Sequence, residues 1–378
     1  MGTDNRLNVK RGESSQTDAA LAVEEFKQQV DQAEPTVVIF FCSPSYDLKQ
    51  LGSAMQKAFP CPVIGCTTAG EVTCNGYISQ SLVGASLSTA ELEVHPRLIT
   101  DLSHQDSNQL RKIGEDVKSK LTLAEDFVNE KMFGLLLVDG MSMAEEQLSA
   151  TLHYAFGEIP LVGGSAGDEL AFKETHVYFE GEFHSNAAVI TLFETTLPFT
   201  VIKSQHFEPT NQRLVITGSE PALRVVKEIN GQPAAEAYAN LIGLNVDDLN
   251  PTVFSVYPVM LKIGGQYYIR SIQKRNPDNS LTFYCAIEDG LVLRIAQAQD
   301  LVKELGSELK QLMERQPETQ LIVACDCILR RLEIQNKGMD DDVAAVLKDY
   351  PVVGFSTYGE QFNSIHVNQT LTAIALGG

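Results

Sequence analysis

The sequence contains no tryptophan, and no apolar run approaches the ~18 residues that a membrane span needs. Basic residues are scarce: 29 Lys and Arg face 49 Asp and Glu, for a formal net charge of −20. Nucleic acid and anionic membranes both call for a basic face, so neither is expected as a partner. Met1–Asp18 lacks the apolar stretch of a signal peptide. Without an export signal, the seven cysteines are expected to be reduced thiols in the cytoplasm. A Gly-x-Ser-x-Gly elbow, a complete P-loop and a His-Glu-x-x-His pair are missing too, and no catalysis is expected of the chain. Gly163-Gly164-Ser165-Ala166-Gly167 has the glycines of a phosphate loop but not its lysine. Cys325-Asp326-Cys327 offers thiolates to a soft metal, yet the remaining cysteines are scattered.

What is present is a repeat. Pro62-Val63-Ile64-Gly65-Cys66-Thr67-Thr68-Ala69-Gly70-Glu71 returns as Pro351-Val352-Val353-Gly354-Phe355-Ser356-Thr357-Tyr358-Gly359-Glu360. It returns again as Pro160-Leu161-Val162-Gly163-Gly164-Ser165-Ala166-Gly167-Asp168, with the last glycine one place early. Each copy follows an apolar run that reads as a buried strand (36–41, 133–138, 319–324), a loop carrying Asp47, Asp139 or Asp326, and an amphipathic helix (48–58, 143–156, 341–348). Three strand–loop–helix–turn–strand units imply a pseudo-symmetric, mixed α/β fold.

Taken in order, residues 1–16 read as a flexible N-terminus, and Thr17-Asp18 caps a helix over 19–30. Strands are expected at 81–89, 176–179 and 187–193, the last two as an antiparallel pair. Helices are expected at 106–120, 233–241 and 298–311. Between about 197 and 290 the pattern changes to short strands and turns, with Asn230-Gly231 as a hairpin signal. The reading divides the chain into domains at 17–196 and 197–378.

Over nearly its whole length the chain resembles the FIST family of intracellular sensory proteins. In the first half the likeness rests on the strand at 36–41, Ser43-Pro44-Ser45-Tyr46-Asp47 and the 62–71 turn. In the second it rests on 226–234, Tyr257-Pro258, Tyr268-Ile269-Arg270-Ser271-Ile272 and 353–361. The resemblance implies a FIST N-like domain followed by a FIST C-like domain, and a role in sensing small ligands. Stand-alone members of the NosP type bind haem b, sense nitric oxide and regulate a histidine kinase in two-component or cyclic-di-GMP signalling. Likeness to that type implies the same ligand and partner here, with the signal passed to a separate protein. The eukaryotic F-box relatives imply a further alternative, an adaptor without a small ligand.

Haem iron takes an axial ligand from an otherwise apolar pocket. His184-Ser185-Asn186 and His366-Val367-Asn368 both precede a strand that follows a repeat turn, where the first unit has Ile78-Ser79-Gln80. Two equivalent strands are thus expected to offer a histidine each, with His366 as the preferred iron ligand and Tyr358 in reserve. Arg270 and Arg294 are candidates for the propionates. Without haem, the exposed N–H groups of the three turns would converge on an amino-acid-like carboxylate, at Gly65, Thr67, Thr68, Gly163, Ser165, Ser356 and Thr357. The same N–H groups would activate Cys66. His95, His104 and His206 read as solvated surface. The sequence does not fix the oligomeric state, and a homo-oligomer is compatible with it.

Overall fold

A computed structural model describes residues 6–121 and 131–378. The repeat is visible as three units of one plan: edge strand, helix, central strand, helix, turn strand, hairpin and return strand. In the first unit these are Asn8–Ser14, Ala19–Val30, Val37–Cys42, Leu48–Ala58, Val63–Thr67, a hairpin from Glu71–Thr73 and Gly76–Ile78, and Leu82–Ser88. The second runs from Leu92–Ile99 through Ser107–Lys118, Met132–Val138, Glu145–Phe156 and Leu161–Ser165. It closes with the hairpin Val177–Phe179 and Glu182–His184, then Ala188–Thr195. The third begins at Phe199–Ser204 and resumes at the helix Leu301–Arg315, followed by Thr319–Cys327, two helices, Val352–Thr357, the hairpin Glu360–Phe362 and Ile365–Val367, and Leu371–Gly377. Between its edge strand and first helix lies an insertion, 207–298, whose strands make a separate eight-stranded sheet.

Within each unit the strands lie in the order edge, return, central, turn, with the last two parallel. The hairpins do not stay at home. The first unit's hairpin extends the third unit's sheet, the second's extends the first's, and the third's extends the second's. This cyclic exchange closes the three sheets into a ring around one core. Ile39, Leu135 and Val323, from the three central strands, belong to that core, and Phe41 stacks on Phe355 at 4.5 Å between ring centroids. The outer face of each sheet carries its own helices and its own apolar cluster. The insertion buries another around Tyr238 and Phe254.

Local chemistry explains where the elements start. Asp18 accepts the N–H groups of Ala20 and Leu21 at 3.0 Å, and Asp106 with Gln109 forms a reciprocal capping box. Asn230 and Gly231 both take positive φ, as a tight hairpin between Ile229 and Gln232 requires.

Three expectations are corrected. Residues 8–14 are not loose but an edge strand paired with Leu82–Ser88; its Asn-Val-Lys-Arg-Gly-Glu-Ser composition is polar because an edge faces water. The 176–179 and 187–193 strands do not pair, since the hairpin exchange sends them to different sheets. Asp326 lies inside the third central strand rather than on a loop, with no exposed surface and an ion pair to Arg330 at 2.6 Å. The boundary expected near 197 falls between the second and third units, and the hairpins and the shared core bind the two sides together.

Candidate functional site

The repeat turns are the points where the hairpins cross between units, and their N–H groups are consumed there. Ala69 N–H donates to Ser356 O (3.0 Å) and Ser356 N–H to Gly70 O (2.7 Å). Gly167 N–H donates to Thr67 O (3.0 Å), Ser165 N–H to Gly359 O (2.8 Å) and Tyr358 N–H to Ser165 O (3.1 Å). Thr67, Thr68, Ser165, Ser356 and Thr357 are all buried. Gly65 and Gly163 permit close strand approach: a Cβ on either would collide with the neighbouring central strand at Phe40 or Leu136. The turns therefore do not present N–H groups to an anion. Cys66 is likewise sealed in the core, where burial pushes its thiol up instead of activating it.

Two crossings carry a buried glutamate. Glu71 accepts from the Thr68 and Ser81 hydroxyls, and Glu360 from those of Thr357 and Thr370. Burial raises Glu71 to about 7 and Glu360 to about 8, against the pull of those hydrogen bonds.

The hairpin register separates the two candidate histidines. Val177 pairs with His184 and with Cys66, whereas Glu360 pairs with Val367 and with Gly164. His184 is thus the counterpart of Val367, and His366 that of Phe183 and Tyr77. One residue of slip puts them on opposite faces. His184 sits half-buried at the rim of the first sheet. His366 is buried in the layer beneath the helix Glu145–Phe156. Burial, opposed by Glu146, holds its imidazole down at about 4, so the ring is neutral. Its Nδ1 lies 3.3 Å from Gln361 Nε2, and its Nε2 has no partner.

Tyr358 and Arg270 join His366 in this region, while Arg294 does not. Arg270 Nη1 donates to His366 O at 2.6 Å. Arg294 binds Thr210 O at 3.0 Å and belongs to the neighbouring residue row, which faces the other side of the insertion's sheet. The Tyr358 hydroxyl donates to Asp168 and accepts the Leu170 N–H at 2.8 Å, and burial raises its pKa, so phenolate ligation is disfavoured. A haem ligand of the right type exists in His366, but the room does not. The Gly359 backbone lies against the imidazole so closely that a Cβ there would strike the ring. A porphyrin does not fit beside Nε2 in this conformation.

The open space lies on the other side of Tyr358. A cleft of about 240 Å³ runs between the second unit and the insertion, lined among others by Met143, Phe172, Tyr358, Phe283, Tyr284 and Arg224. Phe172 stacks on Tyr358 at 4.9 Å. The backbone here is strained: Met143, Glu169, Leu170, Phe172 and Arg224 all have φ between 50° and 68° without being glycine or asparagine. Asp168 holds the strained loop, accepting the N–H groups of Phe172 (2.9 Å), Lys173 (2.6 Å) and Glu174 (3.1 Å). Burial alone would raise its pKa; these bonds and Tyr358 outweigh that and lower it. Arg224 ties the insertion to the ring, with Nη2 at 2.7 Å from both Glu145 and Glu146 and Nη1 at 2.7 Å from Tyr284 O.

Sequence reasoning missed Arg224, Glu145, Phe172 and the methionines, since no turn residue marks those loops. It also placed His206 at the surface. His206 is buried, between Glu333 at 2.9 Å and Arg330 at 3.1 Å.

A ring of exchanged hairpins with a strained cleft at its joint to an inserted sheet makes this a mixed α/β module. The chain belongs to the FIST family: the FIST N domain matches residues 36–232 and the FIST C domain residues 234–363. FIST domains indicate a signal-transduction sensor. An uncharacterised protein of Methanocaldococcus jannaschii is 26% identical over 311 residues, which is 76% of this chain and 59% of that relative. The chain thus spans well under two thirds of that relative's length. Among the described residues no helix is long and apolar enough to cross a membrane.

Proposed function

We propose that the protein senses a small organic ligand, of about amino-acid size, in the cleft between Tyr358, Phe172 and the insertion. The observation that carries this is the strained backbone gathered at the cleft. Positive φ at ordinary residues costs about 1–3 kcal/mol each and is characteristic of ligand clamps and switches. The size follows from the cleft's volume of about 240 Å³, below the ~300–1,000 Å³ of sites for drug-sized ligands. Occupancy would be passed on through the Arg224 tie, which sets how the insertion sits on the ring. The receiver in this reading is a histidine kinase, the partner that the family resemblance implies. Thermal unfolding against a panel of amino acids and similar metabolites tests it. A ligand should stabilise the wild type and leave Phe172→Ala unmoved; equal stabilisation of both, or of neither, overturns the reading.

A second reading, haem with nitric oxide as the signal, has one observation in its favour. The neutral, unpartnered Nε2 of His366 is of the type iron takes. It requires the third hairpin to move away from Gly359. An absorption spectrum of protein produced with haem supply separates the two. A stoichiometric Soret band that shifts with nitric oxide and disappears in His366→Ala would replace the first reading; a colourless protein sinks the second.

A further inference from the structure

The outer face of the second unit's sheet gathers a histidine and two glutamates where its edge strand meets its return strand. Glu93 and His95 stand two residues apart on Leu92–Ile99 and so share a face. Glu194, on Ala188–Thr195, is the direct partner of Glu93 in the ladder. The ligating atoms of the three all lie within 4.8 Å of one another, with His95 Nε2 3.8 Å from a Glu93 carboxylate oxygen. That Nε2 is buried and makes no hydrogen bond. Access is graded: the side chain of Glu93 is 60% exposed and that of His95 19%, while Glu194 is buried.

The threefold plan does not call for these residues. Followed outward from the repeat turns, the strand registers put Phe193, Leu87 and Leu376 at one position of the return strands, opposite Val94, Val9 and Phe199 of the edge strands. The counterparts of His95 are therefore Lys10 and Thr200, and those of Glu194 are Ser88 and Gly377. Lys10 and Thr200 each tie the edge strand to the residue that ends their unit's first helix. Lys10 Nζ donates to Asp31 O at 2.6 Å, and the Thr200 hydroxyl to Gln316 Oε1 at 2.8 Å. In the second unit that residue is Ser119, whose hydroxyl turns back to Asp116 O at 2.7 Å. His95 has given up the common bond and faces two carboxylates instead. Carboxylates directly opposite one another across a ladder repel, and a cation between them reverses the sign.

We propose that Glu93, His95 and Glu194 bind a divalent transition-metal ion of the zinc class. One imidazole nitrogen and two carboxylate oxygens are donors that zinc takes, whereas calcium and magnesium prefer oxygen alone. Tetrahedral bonds of about 2.0–2.2 Å set ligand atoms about 3.4 Å apart. The 3.8 Å between His95 and Glu93 closes to that by a small turn of the exposed glutamate. Three protein ligands leave a fourth position to water, on the open Glu93 side. Glu194 pairs with Met132 at one end of Met132–Val138, whereas Gly140, just past the other end, lines the cleft. The metal site is thus separate from the cleft and does not depend on what the cleft binds.

The test is calorimetric titration of the metal-free whole chain with Zn²⁺, with Co²⁺ as the spectroscopic probe. One equivalent should bind per chain and raise the Tm. Co²⁺ should give the visible bands of a four-coordinate nitrogen and oxygen site, without the intense near-ultraviolet band of thiolate ligation. His95→Ala and Glu93→Gln should each weaken Zn²⁺ binding about a hundredfold or more, beyond the ~10–100-fold that a group merely supporting a ligand costs. Both should leave the Tm of the metal-free protein unchanged. Glu194→Gln should weaken binding alike; if that buried change prevents folding, the other two variants carry the test. His104→Ala, whose exposed ring pairs with Asp101, should bind as wild type does. Failure of wild type to bind Zn²⁺, or binding unchanged in His95→Ala and Glu93→Gln, overturns the proposal. So does a thiolate band with Co²⁺, which would assign the metal to cysteines, or Mg²⁺ competing with Zn²⁺ on equal terms, which would leave His95 no part in it.

Discussion

At the first and third crossings a glutamate is closed in between a turn hydroxyl and the hydroxyl that opens the return strand. At the second crossing the repeat has lost a residue, and Asp168 stands where the strand would turn into its hairpin. Its carboxylate reaches forward to three N–H groups of the next loop and takes the Tyr358 hydroxyl from the third unit. The first arrangement buries a group that is easier to keep protonated; the second stabilises a charge and holds a strained loop open to a cleft. A threefold plan thus seals two of its joints and leaves the remaining one to meet the insertion.

Substitutions common to all three crossings should act alike. Gly65→Ala, Gly163→Ala and Gly354→Ala each drive a Cβ into the adjacent central strand, and each should cost about 3 kcal/mol or more, read as lost soluble yield or a lowered Tm. A tolerated Gly163→Ala beside two damaging partners would show that the second unit is not packed on the common plan.

Next in size is the tie at the open joint. Arg224→Met leaves Glu145 and Glu146 facing each other without their cation, at about 3–5 kcal/mol for a broken buried pair. Denaturant unfolding should show the insertion loosening ahead of the ring. A single unchanged transition would contradict the tie.

The pH response should differ in sign between the joints. Glu71 and Glu360 have folded pKa values raised above the unfolded one, so the fold holds more protons than the unfolded chain. Their contribution is complete below the unfolded pKa and is lost as pH rises through about 7 to 8. Asp168 is lowered, so its contribution is present at neutral pH and is lost as pH falls through its folded pKa. Melting curves from pH 6 to 9 should therefore decline in wild type and flatten in Glu71→Gln and Glu360→Gln, whereas Asp168→Asn should change the acid limb. The smallest effect on stability belongs to Phe172→Ala, whose ring is 37% exposed. It should alter unfolding by less than about 1 kcal/mol while abolishing the ligand response.

Much of each unit is legible in the sequence because it is local. The helix 19–30 shows its Asp18 cap, and the central strands show as apolar runs. The hairpin exchange is not legible, since Glu360–Val367 has the same composition whichever sheet receives it. That also hid the true equivalence of His366, where one residue of register decides the face. The third unit's first strand, Phe199–Ser204, is separated from its helix by the insertion, and the repeat there looked like a new domain. The cleft draws on Met143, Phe172, Arg224 and Tyr358, which come from four segments and share no motif. Arg270 is visible as an arginine after a strand, but only the fold shows that it is buried and held on the His366 carbonyl.

Native mass spectrometry of the purified chain tests the central claim most directly. The account predicts a small, non-haem organic ligand that co-purifies with the wild type, is released on unfolding and is missing from Phe172→Ala. A haem adduct in wild type that is lost in His366→Ala, or a ligand retained unchanged by Phe172→Ala, would contradict it.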